Sequence, residues 1–528
     1  MNRRKSYKNV IVLGVIAVAA ASYLLYRSVN VNEALWKAGY YDNKIAVLNT
    51  ADVLGHIVYY ERAGDDLALD SSSTEMGAAL IKGLADEVRA ANPHSLFFDS
   101  GDFFAGTSEA NVNRSEGTVE TANLMGYDGM TLGQHDFSWG FERTKEIESQ
   151  VRFPILAANV SNDGKPAFER YVIYTVDGLK IGVFGLTSDQ FLQGVAMRES
   201  PNVRYEDPIE TARSVVAELR SQEVNAIILL SHIGDDYDRE QIVPQVDGID
   251  LILSGRGFKL YKKAVKINDT YVAEAGAFGS HLGVASMYFR DGRVAKVDWN
   301  ILRSADQSKA DKAVAETTER YHRLALAEGQ EVLAVTASGL DGIRSHVRTR
   351  ETNFTNVIAD AMRDEGQADL AIFNAGVIRE SVPPGEVNLY KLERALPFYN
   401  SLVTVEIRGE TIYEAIENGL NTWPNGVHNG GFPQVSGIRY VIDGSQPAGK
   451  RLNGVSMNGQ PLDRGATFKV AITDYLLTGG DNYGMFEDAK VLSRGGLLKD
   501  VVGRYVKKLG TLPEEAEGRI AVVNQRYK

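Results

Sequence analysis

Two kinds of hydrophobic pattern alternate along the first three hundred residues. Short runs rich in Val, Ile, Leu and Phe indicate buried strands, and stretches with the 3.6-residue period of amphipathic helices, such as residues 76–91, separate them. The runs are IAVLNT (45–50), SLFFDSGD (95–102), GMTLGQHD (129–136), FPILAANV (153–160), KIGVFGLTSD (180–189), NAIILLSH (225–232) and IDLILSGR (249–256). This alternation predicts a layered α/β domain between about residues 44 and 302.

The remainder of the chain predicts a second α/β unit. Residues 305–329 are polar, free of Pro and rich in helix-forming residues, which is typical of an exposed helix between two domains. After it come a helix at 356–365 and the strand runs LAIFNAG (370–376), LVTVEIRG (402–409) and FKVAITDY (468–475). We therefore expect an N-terminal segment at 1–30, a first domain at 31–304, a linker helix at 305–329 and a second domain at 330–528.

The amino terminus has the pattern of a targeting segment. Four basic residues, Arg3, Arg4, Lys5 and Lys8, precede an apolar stretch from 10 to 26. We favour an uncleaved membrane anchor over a signal cleaved near residues 19–21, because apolar residues continue past that site; a buried helix of a soluble protein is the third alternative. The basic flank predicts that the rest of the chain lies outside the cytoplasm, in the periplasm or at the cell surface.

Charge and cysteine content narrow the function. The chain has 57 Lys+Arg against 69 Asp+Glu and a net charge of −12, and no basic run is present, which argues against nucleic-acid binding. The absence of cysteine excludes disulfides, thiolate metal sites and cysteine nucleophiles.

Polar residues follow several of the predicted strands. Asp52, Asp102, the pair Gln134-His135 and His232 fall at strand ends, where α/β sheets bind ligands. Oxygen and imidazole donors suit Mg, Mn or Zn. Each residue alone is also explained as a turn former, a helix cap or a hydrogen-bonded core histidine.

The order of these blocks is more specific than any one of them. Asp52, Gly-Asp102, His135-Asp-Phe, Ser-His232 and Ser-Gly-x-Gly at 254–257 resemble the calcineurin-like metallophosphatase domain of the bacterial 5′-nucleotidase and UDP-sugar hydrolase family. The blocks RETN (350–353), NAGVIR (374–379), LPFYN (396–400), GFPQVSG (431–437) and TGGDNY (478–483) resemble that family's C-terminal domain. The resemblance implies an N-terminal four-layer αββα sandwich joined by a helix to a C-terminal α/β substrate-binding domain.

The resemblance also implies residue roles. Phe432 and Tyr475 are expected to sandwich the base and Asp481 to accept the ribose hydroxyls, whereas Arg350, Asn374 and Arg379 hold phosphate and ribose. His135 matches the histidine that stabilises the transition state. Stacking tolerates any base, and guanidinium groups match phosphate oxygens. Core packing of the two rings and turn formation by Asp481 remain the alternatives.

The sequence departs from the family pattern at the metal ligands. Leu54, Arg256 and Phe258 stand where the family has imidazole or amide ligands, and none of the three offers a lone pair to a cation. Ser138 replaces a carboxylate partner of His135.

The retained donors form a partial site, for which we expect at most one divalent ion (Mn, Zn or Mg) and no two-metal centre. They are Asp52, Asp102, Gln134 and His232. Arg256 is expected to take the place of the missing metal, by neutralising Asp52 and Asp102 or by contacting a phosphate.

Three functions follow from these observations. The favoured one is an extracytoplasmic protein that binds nucleotides or nucleosides and whose phosphomonoester hydrolysis is weak or lost, because a two-metal clamp is incomplete. The alternative is an active single-metal nucleotide phosphohydrolase. The second alternative is a structural or assembly partner of another envelope protein.

Overall fold

Two six-stranded sheets form the first part of the molecule, in a computed structural model that describes residues 30–61, 74–193, 195–398, 400–424 and 430–524. The first sheet has the strand order Arg293–Leu302, Leu282–Arg290, Asn43–Thr50, Ser95–Asp99, Gly129–Thr131, Ile155–Leu156. The second has the order Val265–Ile267, Thr270–Glu274, Leu251–Ser254, Ala226–His232, Leu179–Thr187, Tyr171–Val176. In each sheet the central strands that precede the polar loops run parallel.

Alternation along the strands explains how both faces of each sheet are buried. Ile45 and Val47 pack between the two sheets, and Ala46 and Leu48 pack on the opposite face against helices. The strand Ala226–His232 divides in the same way between the inner and the outer core. Because both faces are covered, these strands are continuously apolar. The predicted four-layer αββα sandwich is confirmed.

Helices cover the outer faces of the sandwich and connect its strands. In this part of the chain they are Val31–Lys37, Gly77–Ala91, Ser108–Asn111, Glu116–Met125, Phe141–Gln150, Pro208–Ser221, Asp235–Tyr237 and Val243–Gln245. The smaller strands are Tyr60–Glu61 paired with Thr74–Glu75, and Val203–Tyr205, Val160–Asn162 and Lys165–Pro166 in a three-stranded sheet.

The helix predicted at 305–329 spans Lys312–Glu328, with Asp311 as its N-cap. Its predicted exposure holds for one face only, because Val314, Tyr321 and Ala325 are buried against both halves of the molecule. The polar composition of the segment gives no indication of this apolar face. The proposed domain boundaries themselves stay a prediction.

Three sheets and several helices form the second half. A five-stranded sheet has the order Pro433–Ser436, Leu370–Asn374, Thr467–Thr473, Ser401–Arg408, Lys490–Leu497. The others are Val332–Thr336 with Gly385–Asn388, and Gln460–Pro461, Leu452–Met457, Arg439–Asp443, Ile520–Val523. The helices are Arg344–Val347, Asn353–Glu365, Leu389–Ala395, Gly409–Gly419, Asp474–Leu477 and Leu498–Leu509.

The segment for which an amino-terminal anchor is predicted lies outside the described residues. Among the residues that are described, no helix is long and apolar enough to cross a bilayer.

Candidate functional site

The predicted donors meet at the carboxyl ends of the central strands. Asp52 follows the strand Asn43–Thr50, Asp102 follows Ser95–Asp99, and His232 is the last residue of Ala226–His232. Gln134 begins a short helical turn, Gln134–Phe137, after the strand Gly129–Thr131. Parallel strands from both sheets therefore deliver these side chains to one place.

A buried triad forms the centre of this site. His232 Nε2 lies 3.2 Å from Asp102 Oδ2 and 3.8 Å from Asp52 Oδ1, and all three side chains are fully buried. His232 Nδ1 is 2.6 Å from the carbonyl oxygen of Ser100, which directs Nε2 at the two carboxylates. One ligand atom from each residue can be chosen so that all three lie within 4.8 Å of one another.

Four donor atoms at this point are buried and have no hydrogen-bond partner. They are Asp52 Oδ1, Asp102 Oδ2, Gln134 Oε1 and His232 Nε2. Leaving a buried polar atom unsatisfied costs about 1–3 kcal/mol, so Asp52 Oδ1 and Gln134 Oε1 in particular indicate a missing binding partner, since His232 Nε2 and Asp102 Oδ2 lie within ion-pair distance of each other. The chemistry of the four atoms, three oxygens and one imidazole nitrogen, fits a single divalent cation.

Electrostatics in the metal-free state make His232 a cation. Burial alone lowers the pKa of His232, but the charges of Asp102 and Asp52 outweigh burial and raise it to about 10. Burial likewise raises the pKa of Asp102, but His232 outweighs it and the pKa falls below its usual value. A proton on His232 thus supplies the positive charge that a metal ion would supply.

Main-chain groups hold the triad in position. Asp136 accepts hydrogen bonds from the main-chain N–H groups of Asp102, Phe103, Phe104 and Gly133, at 2.8–2.9 Å. His135 N donates to Asp102 Oδ1 at 2.7 Å. These bonds make the loop after Ser95–Asp99 rigid before any ligand binds.

Two of the three positions without a ligand side chain, Leu54 and Phe258, belong to an apolar cluster. Leu54, Phe258, Ala277 and Phe278 form a small buried cluster, in which the two Phe rings stack at 5.3 Å. Hydrocarbon and benzyl groups occupy this side of the site, and they cannot ligate a cation.

The Arg256 guanidinium pairs with neither Asp52 nor Asp102 among the described residues, but its charge acts on Asp52: burial raises the pKa of Asp52, and Arg256 is one of the groups that lower it. The main-chain N–H of Arg256 donates to Asp52 Oδ2 at 2.7 Å, whereas its guanidinium donates to the carbonyl oxygen of Ile233. The Arg256 side chain lines the cavity, and Asp52 Oδ1 keeps no hydrogen-bond partner within the described ranges.

His135 lies at the edge of the cavity but lacks an acidic partner at position 138. The Ser138 hydroxyl donates to the main-chain carbonyl of His135 at 2.6 Å, so it does not orient the imidazole. Burial lowers the pKa of His135 to about 4, which keeps the ring neutral at pH 7. Its ring instead stacks on Phe398 at 4.8 Å.

A cavity of about 1440 Å³ opens between the two halves beside these residues. Gln134, His135 and Arg256 line it from the first half. The second half contributes a compact polar group. Asn374 Nδ2 donates to Asp481 Oδ2 at 2.8 Å, and Tyr475 Oη donates to Asp481 Oδ1 at 3.2 Å. Beside them, the Arg379 guanidinium lies 4.6 Å from the ring centroid of Phe398.

Two of the predicted binding residues do not line the cavity. Phe432 is fully buried in the core of the second half, against which Tyr475 also packs, and its stacking on a base stays a prediction. Arg350 is exposed and lines a separate cavity of about 490 Å³.

The cavity residues to which the sequence analysis gave no role include Phe398, Arg344 and Arg348. Burial lowers the pKa of Arg348, and the neighbouring charge of Arg344 adds to that effect. A signal was available, since two arginines four residues apart lie on one face of a helical turn. The family motif instead assigned phosphate and ribose binding to the neighbouring Arg350.

Comparisons with known proteins identify a matching domain family and several similar chains. Residues 332–488 match the family model described as "5'-nucleotidase, C-terminal domain". The trifunctional nucleotide phosphoesterase protein YfkN of Bacillus subtilis is 30% identical over 493 residues, which cover 83% of this chain. The match covers 33% of that relative, so the chain spans about a third of its length.

Two further relatives match over nearly their whole length. The 5'-nucleotidase of Bos taurus is 28% identical over 530 residues, covering 90% of each chain. The crystal structure of a 5'-nucleotidase precursor from Thermus thermophilus is 29% identical, with a TM-score of 0.79 over 91% of this chain and 100% of that one. The chain is thus a relative of the 5′-nucleotidases, with a metallophosphatase-type sandwich followed by a 5′-nucleotidase C-terminal domain.

Proposed function

We propose that this chain binds nucleotides or nucleosides in the cavity between its two halves and hydrolyses phosphomonoesters weakly or not at all. The proposal is based on a difference between the side chains on the two walls of the cavity. The second half presents a complete polar group, whereas the first half presents donors for one cation and an apolar cluster in place of the second.

The recognition side has a group for each part of a nucleotide. Asp481 is a carboxylate held by Asn374 and Tyr475, which suits two vicinal hydroxyls. Tyr475 offers a π face to a base, whereas Phe398 already stacks on His135 and contacts the Arg379 guanidinium. Arg344, Arg348 and Arg379 offer guanidinium groups to phosphate oxygens.

The catalytic side is incomplete in two respects. Phosphoryl transfer by two metals needs both ions to stabilise the attacking and the leaving oxygens. The apolar cluster of Leu54 and Phe258 supports the loss of one ion, and the neutral His135 supports the loss of a cationic stabiliser. Both losses act on the transition state, so binding outlasts hydrolysis.

Binding is tested with the purified full-length chain by calorimetry with adenosine, AMP and UDP-glucose. Tyr475→Ala is expected to weaken adenosine binding at least tenfold, since stacking contributes about 1–3 kcal/mol per base, and Tyr475→Phe, the matched control, retains most of it. A chain that binds none of the three ligands would favour the third function, an envelope partner.

The alternative function is a single-metal phosphohydrolase, and the four unsatisfied donors favour it. A divalent cation held there supplies Lewis-acid polarisation of a phosphoryl oxygen. Phosphate release from AMP is measured with added Mn, Co or Zn. Turnover above about 1 s⁻¹, an ordinary enzyme rate, contradicts weak or lost hydrolysis and establishes the alternative.

We also propose an extracytoplasmic location with an N-terminal membrane anchor. The support is the basic flank that precedes the apolar stretch at 10–26. Digestion of intact cells with their outer layers permeabilised is expected to degrade the chain. Full protection alongside a cytoplasmic marker would contradict the proposed location.

A further inference from the structure

We infer that Arg256 is a phosphate-binding residue, so that the first half of the molecule binds a nucleotide's phosphate through a guanidinium and needs no cation to do so. This inference rests on the proposed function. It concerns a position at which the sequence has exchanged a metal ligand for a permanent positive charge.

The main chain fixes Arg256 firmly at the site. It follows the strand Leu251–Ser254, and the Gly255 N–H donates to the Ser231 carbonyl at 2.8 Å. The Arg256 N–H donates to Asp52 Oδ2 at 2.7 Å, and its φ is +69°. A left-handed conformation at a non-glycine residue persists only where its surroundings enforce it. The side chain therefore leaves the loop in a defined direction.

The guanidinium lies on the cavity wall and keeps its charge available. It donates one hydrogen bond, to the Ile233 carbonyl, and in the described part of the chain no ion pair holds it. Five N–H groups are present on a guanidinium, so most of its donors remain for a ligand. The charge of Lys259 in the same loop is not available in this way, because its ammonium forms ion pairs with Asp235 and Asp236 at 2.9 and 2.7 Å.

The opposite wall of the cavity carries further guanidinium groups. Arg344, Arg348 and Arg379 line it from the second half. Phe258, two residues after Arg256, lies 5.1 Å below the Arg344 guanidinium in a cation–π contact. One loop of the first half thus adds a cation at 256 and positions another through 258.

Guanidinium groups from both halves line this cavity together with carboxylates such as Asp481, and burial lowers the pKa of Arg348 and Arg379. A phosphate monoester carries nearly two negative charges at neutral pH and accepts bidentate hydrogen bonds from arginine. Arg256 on one wall and the arginines on the other are arranged to bind the same phosphate group or adjacent groups of a phosphate chain.

The test compares adenosine with AMP on the full-length chain in EDTA, by calorimetry. The wild type is expected to bind AMP more tightly than adenosine without metal. Arg256→Asn, which tolerates a positive φ, is expected to lower AMP affinity about tenfold and leave adenosine affinity unchanged. Arg256→Lys is expected to lie between them. Arg213→Ala, at an exposed arginine outside the cavity, is the matched control and changes neither affinity.

Three outcomes overturn the inference in distinguishable ways. Equal loss of AMP and adenosine affinity in Arg256→Asn means a structural role. An AMP preference that disappears in EDTA in the wild type means that a cation binds the phosphate. Binding of neither ligand by the wild type overturns the proposed function together with this inference.

Discussion

At the scale of single side chains, Asp52, Asp102 and His232 form a buried group of metal-ligand type, beside which Leu54, Arg256 and Phe258 offer no ligand atom. His232 Nε2 lies 3.2 Å from Asp102 Oδ2 and 3.8 Å from Asp52 Oδ1, and Gln134 Oε1 is buried without a hydrogen-bond partner among the residues described. The retained residue types were readable in the sequence because family motifs preserve spacing. The directions of Phe432 and Arg350 were not readable, because core packing decides them and adjacent positions in a motif can face opposite ways.

Gly133 gives a direct test of the cation site at this scale. A Cβ there would lie 2.1 Å from Asp102 Oδ1 and 2.5 Å from His232 Nε2, which no ordinary contact allows. Gly133→Ala is expected to lower Mn²⁺ affinity at least tenfold by displacing both side chains, as measured by calorimetry. Gly454→Ala, where a Cβ meets nothing within 4 Å, is the control. Undiminished Mn²⁺ binding in Gly133→Ala would place the ion elsewhere.

At the scale of elements, the loops at the site share a costly backbone conformation. Asp52, Leu54, Asp102, Arg256 and Phe258 all have positive φ, between 49° and 69°. Such conformations cost roughly 1–2 kcal/mol for a non-glycine residue. The loops thus have one geometry in common, in which Asp52 and Asp102 offer ligand atoms and Leu54, Arg256 and Phe258 do not.

Imidazole ligands at the last three positions are therefore expected to restore metal binding. The triple variant Leu54→His, Arg256→His, Phe258→His should raise bound Mn²⁺ towards two ions per chain, because the loops already direct these positions at the site. Phe278→His adds an imidazole to the same apolar cluster at a position that no motif assigns to metal, and is not expected to do so. Unchanged metal content in a folded triple variant would show that the loops are aligned incorrectly.

Elements were the part of the fold that the sequence predicted best. Strands buried on both faces appear as unbroken apolar runs, and the runs at 45–50, 225–232 and 370–376 match observed strands to within two residues. The helix at 312–328 shows the limit. Tyr321 and Ala325 are spaced to form an apolar stripe, but only the tertiary structure reveals the surface that covers it.

In the whole molecule, a buried polar network joins the two halves beside the cavity. Glu109 accepts hydrogen bonds from Tyr390 at 2.7 Å and from His322 at 2.8 Å, and Asn111 Nδ2 donates to the Pro397 carbonyl at 3.2 Å. No sequence motif pointed to these residues, because they come from separate segments and meet only in the folded chain. These hydrogen bonds help to fix the position of one cavity wall relative to the other.

His322 makes this network sensitive to pH. Its hydrogen bond to Glu109 raises the pKa of His322, while burial opposes the shift; Glu319 raises the pKa further, and Arg394 lowers it. A raised pKa means that the pair stabilises the fold below about pH 6.5, the unfolded value, and loses that contribution as pH rises through the folded pKa.

The wild type is therefore expected to lose more stability than His322→Gln between pH 6 and 9. The difference should be below about 1 kcal/mol, since the pair is partly exposed, and urea unfolding at several pH values measures it. Tyr390→Phe removes a neighbouring partner of Glu109 and should retain the pH dependence. Parallel pH profiles for the wild type and His322→Gln would contradict this role.

The metal content of the full-length chain tests the central claim most directly. Elemental analysis after equilibration with excess Mn²⁺ and removal of free ion should find no more than one ion per chain. Two ions per chain, bound beside Asp52 and Asp102, would contradict the account.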